Sequence, residues 1–78
     1  MTLKIISAQE VVFQGEVTSV TLPGEMGSFT VLKNHASLVS ILTAGEITYI
    51  STDGGEHKAA ITGGIVDVDN NIVSVCTY

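Results

Sequence analysis

The sequence lacks arginine and tryptophan, and it has only three lysines among its 78 residues. Eight carboxylates outweigh these lysines and give a formal net charge of −5 at pH 7. A surface of this sign repels the phosphate backbone of nucleic acids and the anionic headgroups of lipids. The composition therefore argues against nucleic-acid binding and against direct lipid binding.

Cysteine and long apolar runs are scarce as well. Cys76 is the single cysteine, so the chain forms no internal disulfide and offers no second thiol for a metal site. We predict that Cys76 is a small buried side chain without a reactive role, in a protein that works in a reducing, cytosol-facing compartment. No segment approaches the ~20 apolar residues of a membrane-spanning helix, and residues 1–7 have the pattern of a first strand and not of a signal peptide. We therefore expect no direct insertion into a membrane.

β-Branched residues dominate what is present. Valine, isoleucine and threonine supply 27 of the 78 residues, and these side chains lose little freedom on a pleated sheet. With only two Phe and two Tyr, the core must be built from aliphatic side chains. The length suits a single domain, residues 1–78. We predict an all-β fold, a flattened sandwich of two antiparallel sheets with about ten short strands.

Apolar segments recur every ~8–12 residues between breaks that contain Gly, Asn or Asp, which is typical of an antiparallel sandwich. Asp53-Gly54-Gly55 and Asp69-Asn70-Asn71 accept the positive φ of hairpin turns, so the clearest hairpins are predicted there. The predicted strands are Leu3–Ser7, Val11–Phe13, Glu16–Leu22, Ser28–Leu32, Leu38–Leu42, Glu46–Ser51, Glu56–Thr62, Ile65–Val68 and Ile72–Cys76.

One segment allows two structures. Asn34 is a possible cap of a helix whose apolar face is Leu38, Ile41 and Leu42, because that spacing suits a helix as well as a short buried strand. We favour the strand.

No group of residues with an evident chemical role is present. Asp67-x-Asp69-x-Asn71 begins like a calcium-binding EF-hand loop, but Ile72 and Tyr78 stand where Gly and Glu are needed. His35 and His57 lie in different breaks, and no nucleotide-binding or nucleophile motif occurs. We expect no catalytic residues, no metal and no cofactor. The alternative function, a stand-alone β-sandwich module that binds a small ligand, needs a concave pocket.

The most informative segment is Leu22–Ala36, with the sequence LPGEMGSFTVLKNHA. Pro23-Gly24 is expected to end one strand in a turn, and Gly27 allows the chain to bend back tightly into the next strand. Met26 is left at the tip of this loop. There it either forms a soft contact surface or folds under the sandwich.

This segment resembles the epsilon subunit of F-type rotary ATP synthases, whose N-terminal domain commonly has the pattern L-P-G-x-x-G-x-F-x-V-L-x-x-H-A. The resemblance covers essentially the whole chain in the right order. Its other parts are Ile6–Glu10 with Phe13-x-Gly15, Leu42-x-Ala44-Gly45, and Thr62–Val68. It implies a sandwich of two sheets with about ten strands, in agreement with the strand pattern.

The resemblance implies a role in the rotor of a proton- or sodium-translocating ATP synthase, in which the domain itself performs no catalysis. In that family the domain couples the gamma subunit to the c-ring, at the cytoplasmic face of the bacterial inner membrane. The implied partners are the gamma subunit and the polar loops of the c-ring.

The resemblance also assigns residues to the loop that faces the c-ring: Glu25, Met26, Gly27 and Ser28. A second set is expected to serve turns or close packing of the backbone: Pro23, Gly24, Gly63 and Gly64.

Three positions correspond to residues that the family places near gamma: Ser7, His35 and Ser40. For His35 a structural role is an equal alternative, because a neutral imidazole can donate to and accept from the backbone of its own turn.

The chain departs from the family pattern at two positions and in length. Asn34 and Ser37 stand where the family more often has Gly before the His and Pro after the Ala. The family usually continues into a C-terminal helical hairpin that brakes ATP hydrolysis and in some members binds ATP, whereas this sequence stops at Tyr78. Either the protein is naturally a short form without the hairpin or the sequence is truncated, and these residues predict neither regulation by the hairpin nor ATP binding.

Overall fold

The computed structural model describes residues 1–78 and contains strands but no helix. It therefore has no helix long and apolar enough to cross a membrane. Its eight strands are β1 (Thr2–Ile6), β2 (Val11–Gly24), β3 (Gly27–Leu32), β4 (Leu38–Leu42), β5 (Gly45–Ser51), β6 (Glu56–Ile61), β7 (Gly64–Asp69) and β8 (Ile72–Thr77). Neighbouring strands are antiparallel except for β1 and β8, which pair in parallel.

The strands form one continuous sheet that folds onto itself in two layers. The first layer contains β4, β7, β8, β1 and the first half of β2, and the second contains β3, the second half of β2, β5 and β6. The molecule measures 27 × 24 × 18 Å, and its smallest dimension suits two sheets packed ~10 Å apart.

Strand β2 joins the two layers because it is long enough to belong to both. Residues Val11–Glu16 pair with β1, and residues Val17–Thr21 pair with β5. The register shifts opposite Val12 and again between Val17 and Ser19, and such irregularities let a strand bend from one sheet into the next.

The core between the layers consists of 14 buried hydrophobic residues, of which Tyr49 is the one aromatic. The ring of Phe13 lies at the edge of this core, 4.5 Å from the Tyr49 ring. No polar or charged residue is buried. The predicted aliphatic core is therefore confirmed, and it leaves no polar group in need of a partner inside the sandwich.

The all-β sandwich is confirmed, with eight strands where about ten were expected. The segments predicted as Val11–Phe13 and Glu16–Leu22 are parts of a single strand, because Gly15 continues the ladder by pairing with Leu3. A Cβ atom at Gly15 would lie 3.0 Å from the ring of Phe13. The aromatic ring thus covers the glycine at which the sequence indicated a break.

The segment Leu38–Leu42 is a strand, as favoured, and Asn34 caps no helix. Asn34 has a φ of 66°, which is the left-handed conformation of a turn residue. Both predicted hairpins are present, at Asp53–Gly55 and at Asp69–Asn71. Positive φ at two consecutive asparagines, Asn70 and Asn71, gives the second hairpin the twist that two-residue turns need.

Candidate docking surfaces

The outer face of the first layer carries a row of exposed apolar side chains. The strand register places one residue from each strand in this row, which we call the apolar row: Ile41, Ile65, Cys76, Ile6 and Val11. The four aliphatic members are between 38% and 57% exposed. Because neighbouring strands lie about 4.8 Å apart, the row is about 19 Å long.

Two further side chains extend this apolar face. Val39 in β4 is 69% exposed and Ile72 in β8 is 42% exposed, and both alternate with inward-facing neighbours. Six of the ten exposed large hydrophobic residues of the chain therefore lie on the outer face of the first layer. The apolar row and Val39 are contiguous, whereas Ile72 lies beyond Ser74 on the same face. A contiguous apolar patch on a small protein is typical of a surface that binds another molecule.

A second row, with charges, runs beside the apolar row. Val39, Asp67, Ser74 and Lys4 are register partners on neighbouring strands. The row contains one acid and one base, separated by Ser74. Charges at the edge of an apolar contact contribute little affinity but fix the orientation of the partner.

The outer face of the second layer is polar. Thr30, Thr21, Thr48 and Lys58 are register partners across β3, β2, β5 and β6, and the hydroxyls of Thr21 and Thr30 lie 2.9 Å apart. Among the exposed large hydrophobic residues, only Leu32 is on this face. This face has the composition of an ordinary solvent-facing surface.

The β2–β3 hairpin places the predicted c-ring loop at one end of the molecule. Gly24 and Gly27 close the hairpin as a pair, with Glu25 and Met26 between them, and Met26 is 99% exposed. Gly27 has a φ of 123° in open space, so this position needs glycine for its backbone conformation. Of the two positions expected for Met26, the structure has the exposed one.

The hairpin tip is tied to the end of β4. The Glu25 N–H donates to the carbonyl oxygen of Ile41 at 2.9 Å, and the Thr43 N–H donates to that of Pro23 at 2.8 Å. Gly24 is buried, and a Cβ atom there would lie 2.9 Å from the ring of Phe29. The tip is therefore supported close to Ile41, a member of the apolar row.

The structure does not bring together the three residues expected near gamma. Ser7 follows β1 and accepts hydrogen bonds from the N–H groups of Gln9 and Glu10. His35 precedes β4, at the opposite end of the first layer. Ser40 pairs with the buried Val66 and so faces the inner side of the sheet, away from the apolar row.

His35 makes the local contacts of a structural histidine while its ring is exposed. Its N–H donates to the carbonyl oxygen of Leu32 at 3.1 Å. Its Nδ1 lies 2.8 Å from the carbonyl oxygen of Ala36, and because a carbonyl only accepts, Nδ1 is the donor. Both roles expected for His35 are compatible with this geometry, since the imidazole satisfies its own turn and faces solvent.

Gly63 and Gly64 lead into β7, where the chain runs very close to β8. A Cβ atom at Gly64 would lie 2.3 Å from the carbonyl oxygen of Cys76, which no side chain can tolerate. At Gly63 the nearest atom is in the ring of Tyr78, 3.0 Å away. Gly64 therefore allows β7 and β8 to approach closely beside Ile65 and Cys76.

The prediction that Cys76 is buried is wrong. The side chain is exposed, because the alternation along β8 points Val73 and Val75 into the core and Cys76 outward. Cys76 is therefore part of a surface and not of the core.

One hairpin brings a histidine, a hydroxyl and a carboxylate together. Ser51 Oγ donates to Asp53 Oδ1 and lies 3.3 Å from His57 Nε2. This hydrogen bond, followed by one from the Gly55 N–H, holds the pKa of Asp53 below its ordinary value. The Ser51 hydroxyl donates to the carboxylate of Asp53, so the histidine does not receive its proton. The arrangement stabilises the β5–β6 turn.

The structure offers no pocket for a small ligand and no group of three side chains able to hold a metal ion. His35 and His57 are exposed and lie on different elements, in the β3–β4 connection and in β6. The concave pocket expected of a stand-alone binding module is not found in the structure.

Sequence reasoning did not find the apolar row, although the sequence contains a signal for it. Four strands contain two adjacent apolar residues at equivalent positions: Ile5-Ile6, Ile41-Leu42, Ile65-Val66 and Val75-Cys76. In a strand, adjacent side chains point to opposite faces, so each pair places one apolar residue outside. The register of the four strands then aligns these outer residues in one row.

The chain is similar in sequence to several known proteins. A family model described as the ATP synthase delta/epsilon chain beta-sandwich domain matches residues 1–78. An ATP synthase epsilon chain of Bordetella petrii is 37% identical over 75 residues, which is 96% of this chain and 53% of that protein. An ATP synthase epsilon chain of a Sulfurovum species is 46% identical over 69 residues, which is 88% of this chain and 54% of that protein. The chain spans about half the length of the relatives it matches.

Solved structures share the fold. A chain in the Euglena gracilis mitochondrial ATP synthase structure of OSCP, F1 and c-ring superposes with a TM-score of 0.89 at 25% identity, covering 96% of this chain and 48% of that one. A chain in the central stalk and c-ring structure of the Tetrahymena thermophila mitochondrial ATP synthase has a TM-score of 0.80 at 12% identity, covering 97% and 61%. The second likeness concerns the fold alone. On its sequence match over residues 1–78, the chain belongs to the beta-sandwich domain family of the ATP synthase delta and epsilon chains.

Proposed function

We propose that this chain is a non-catalytic subunit of the central stalk of a proton- or sodium-translocating ATP synthase, where it couples the gamma subunit to the c-ring. The observation that supports this most directly is the apolar row, an exposed apolar surface on a domain in which no pocket is found. The relatives, which are ATP synthase epsilon chains, indicate the complex in which this surface is used.

The apolar face of the first layer is the surface that we assign to gamma. It presents aliphatic side chains from five strands and is bordered by Asp67 and Lys4. A domain of this size buries little surface by itself, and burying apolar area contributes about 25 cal/mol per Å². Association with a large, folded partner therefore stabilises both the complex and the domain.

The hairpin tip, Glu25–Ser28, is the surface that we assign to the polar loops of the c-ring. Met26 is unbranched and fully exposed, which allows it to adapt to an uneven partner surface. Glu25 places a negative charge beside it. The hydrogen bonds that join the tip to β4 and Thr43 hold the loop in place, so a force on the tip is passed to the sheet that carries the apolar row.

In this role we expect the protein to be a peripheral subunit at the cytoplasmic face of the bacterial inner membrane. Other subunits of the complex supply the membrane anchor. The formal charge of −5 suits contact with proteins and not with anionic lipid.

Cys76 allows a direct test of the gamma-facing surface because it is the single cysteine and lies in the apolar row. The rate of its alkylation by N-ethylmaleimide is measured in the free protein and after gel filtration with folded gamma. We expect co-elution with gamma and a strong loss of alkylation in the complex. The matched control is Thr48→Cys in a Cys76→Ser background, where the cysteine is on the polar face and stays reactive.

Two outcomes count against the proposal in different ways. Failure to co-elute with folded gamma removes the stalk function. Co-elution with unchanged alkylation of Cys76 leaves the association but removes the apolar face as its site.

The hairpin tip is tested in the assembled ATP synthase. Met26→Cys in the Cys76→Ser background is expected to form disulfides with cysteines introduced into the c-ring loops, whereas Thr48→Cys in the same background is not. Equal cross-linking from both positions would contradict the assignment of the tip to the c-ring.

A further inference from the structure

The connection between β3 and β4, residues 33–37, has no side chain in the core. All of its residues are exposed, and it passes from the second layer to the first. Its internal hydrogen bonds are the two made by His35. A segment with so few contacts is mobile unless another part of the molecule holds it.

Two side-chain contacts hold this connection against the β7–β8 hairpin. The Asn34 N–H donates to Asn71 Oδ1 at 2.6 Å, and Asn71 Nδ2 donates to Asn34 Oδ1 at 3.1 Å. Ser37 Oγ donates to Asp69 Oδ1 at 2.6 Å. We call these four residues the polar clip. It fixes the connection on both sides of His35.

Asn71 is itself firmly placed. Its φ of 61° belongs to the hairpin turn, and its carbonyl oxygen accepts a hydrogen bond from the Thr2 N–H at 2.9 Å. The neighbouring Asn70 has a φ of 49°, but its side chain makes no hydrogen bond. The two asparagines thus have similar backbones and different side-chain roles.

We propose that the polar clip positions the β3–β4 connection as one border of the gamma-docking face, with Asn71 and Asp69 as positioning residues that act through Asn34 and Ser37. The inference rests on the proposed function. Asp69 pairs with Ile72 on the outer face of the first layer, and the connection leads into β4, whose second residue is Val39. A border that is ordered before gamma arrives lowers the entropy lost on association.

The test compares Asn71→Gly with Asn70→Gly. Glycine accepts a positive φ at either position, so both variants keep the turn, and only the first removes the two hydrogen bonds between Asn34 and Asn71. The hydrogen bond from Ser37 to Asp69 remains in both variants. Hydrogen–deuterium exchange is measured on residues 33–37 of the free protein. We expect exchange to rise about tenfold in Asn71→Gly and to stay unchanged in Asn70→Gly, because the loss of two hydrogen bonds frees the connection.

The affinity for gamma is then measured for the same proteins. We expect Asn71→Gly to raise Kd about fivefold, because a loosened connection must be ordered on binding, and Asn70→Gly to match the wild type. Asn71→Asp keeps the acceptor for the Asn34 N–H and loses the donor. Its Kd for gamma is expected to lie between that of the wild type and that of Asn71→Gly. The double variant Asn34→Gly, Asn71→Gly is expected to bind no more weakly than Asn71→Gly alone, because the two residues act as a pair.

The outcomes separate this inference from the stalk function. Unchanged exchange in Asn71→Gly overturns the clip, whether or not gamma binds. Faster exchange with an unchanged Kd shows a purely structural contact and overturns the positioning role. If the wild type itself does not bind gamma, the stalk function fails, and the positioning role fails with it.

Discussion

Both outer faces of the sandwich follow from the same alternation of inward and outward side chains, yet they differ in chemistry. On the first layer, the outward residues at one end of the strands are isoleucine, valine and cysteine. On the second layer, the register partners Thr30, Thr21 and Thr48 are threonines, which have the same branched shape with a hydroxyl. Threonine thus favours the strand conformation, and its hydroxyl keeps this face of the sheet hydrated. The strand conformation of the first layer therefore does not by itself require apolar residues on the outer face.

The largest effect is expected where the first layer is packed most tightly. Gly64→Ala places a Cβ atom 2.3 Å from the Cys76 carbonyl oxygen and is expected to lower the free energy of unfolding by about 3 kcal/mol or to prevent folding. Gly27→Ala in the second layer meets open space and is expected to cost about 1 kcal/mol through its positive φ. Urea unfolding measures both. If both variants lost the same free energy of unfolding, the close packing at Gly64 would not be a main determinant of stability in the first layer.

A reciprocal exchange tests the chemistry of the two faces. Ile65→Thr introduces a hydroxyl into the apolar row and is expected to weaken gamma binding about tenfold. The reason is that it removes roughly 1–2 kcal/mol of binding free energy that comes from burying apolar surface. Thr48→Ile makes the polar face apolar and is expected to leave gamma binding unchanged. Both replacements keep a β-branched residue, so the sheet is preserved. Titration calorimetry with folded gamma gives the two affinities, and equal weakening by both variants would remove the distinction between the faces.

Each layer contains one carboxyl group whose pKa is lowered. Lowering the pH is therefore expected to remove a small stabilising contribution from both layers. A hydrogen bond from the Thr2 hydroxyl is the main reason that the pKa of Glu16 lies below its ordinary value, with a smaller contribution from the positive N-terminus. In the second layer, Ser51 lowers the pKa of Asp53. A lowered pKa means that the carboxylate stabilises the fold above its unfolded pKa, which is about 4, and that this contribution is lost as the pH falls through the folded value.

Two single substitutions measure these carboxyl groups separately. Thr2→Val is expected to raise the pKa of Glu16, and Ser51→Ala is expected to raise that of Asp53, each without affecting the other. NMR titration of the side-chain carboxyl signals follows both. Because the two groups are exposed, we expect only a small change in stability at acid pH. A shift of both pKa values by one variant would mean that the layers are electrostatically coupled.

The smallest effect is expected at the hairpin tip. Met26→Ala removes a side chain that is 99% exposed and is expected to change the free energy of unfolding by less than about 0.5 kcal/mol. A larger loss in thermal unfolding would show that the tip folds onto the sandwich in solution.

Most of the fold was predictable because its determinants are local. Asp53-Gly54-Gly55 and Asp69-Asn70-Asn71 contain the residues that their turns require, and the β-branched segments between turns form strands. The break predicted near Gly15 was wrong because a ring two residues away covers the glycine. The burial of Cys76 was wrong because a small thiol was assigned to the core by its type, whereas the alternation along β8 decides its direction.

The candidate site was less predictable because it depends on register between strands that are far apart in sequence. Ile41, Ile65, Cys76 and Ile6 form one row only after four strands have paired. Of the residues that the resemblance places near gamma, Ser40 faces inward, and its role stays a prediction.

The structure explains the two positions at which the sequence departs from the family pattern, Asn34 and Ser37, better than the sequence does. Asn34 and Ser37 each form a hydrogen bond to the β7–β8 hairpin. Contacts over 37 and 32 residues cannot be inferred from the residues next to them.

The parallel pairing of β1 with β8 also determines when the domain can finish folding during its synthesis. Thr2 pairs with Ile72, so β1 receives its second neighbour only when β8 has left the ribosome. Until then one edge of β1 is open, and Leu3 and Ile5 have no cover from Val73 and Val75. Contacts between such distant parts of a chain form slowly, and an open strand edge invites pairing with other chains. The first layer is therefore most exposed to wrong pairing in the interval before β8 is available to β1.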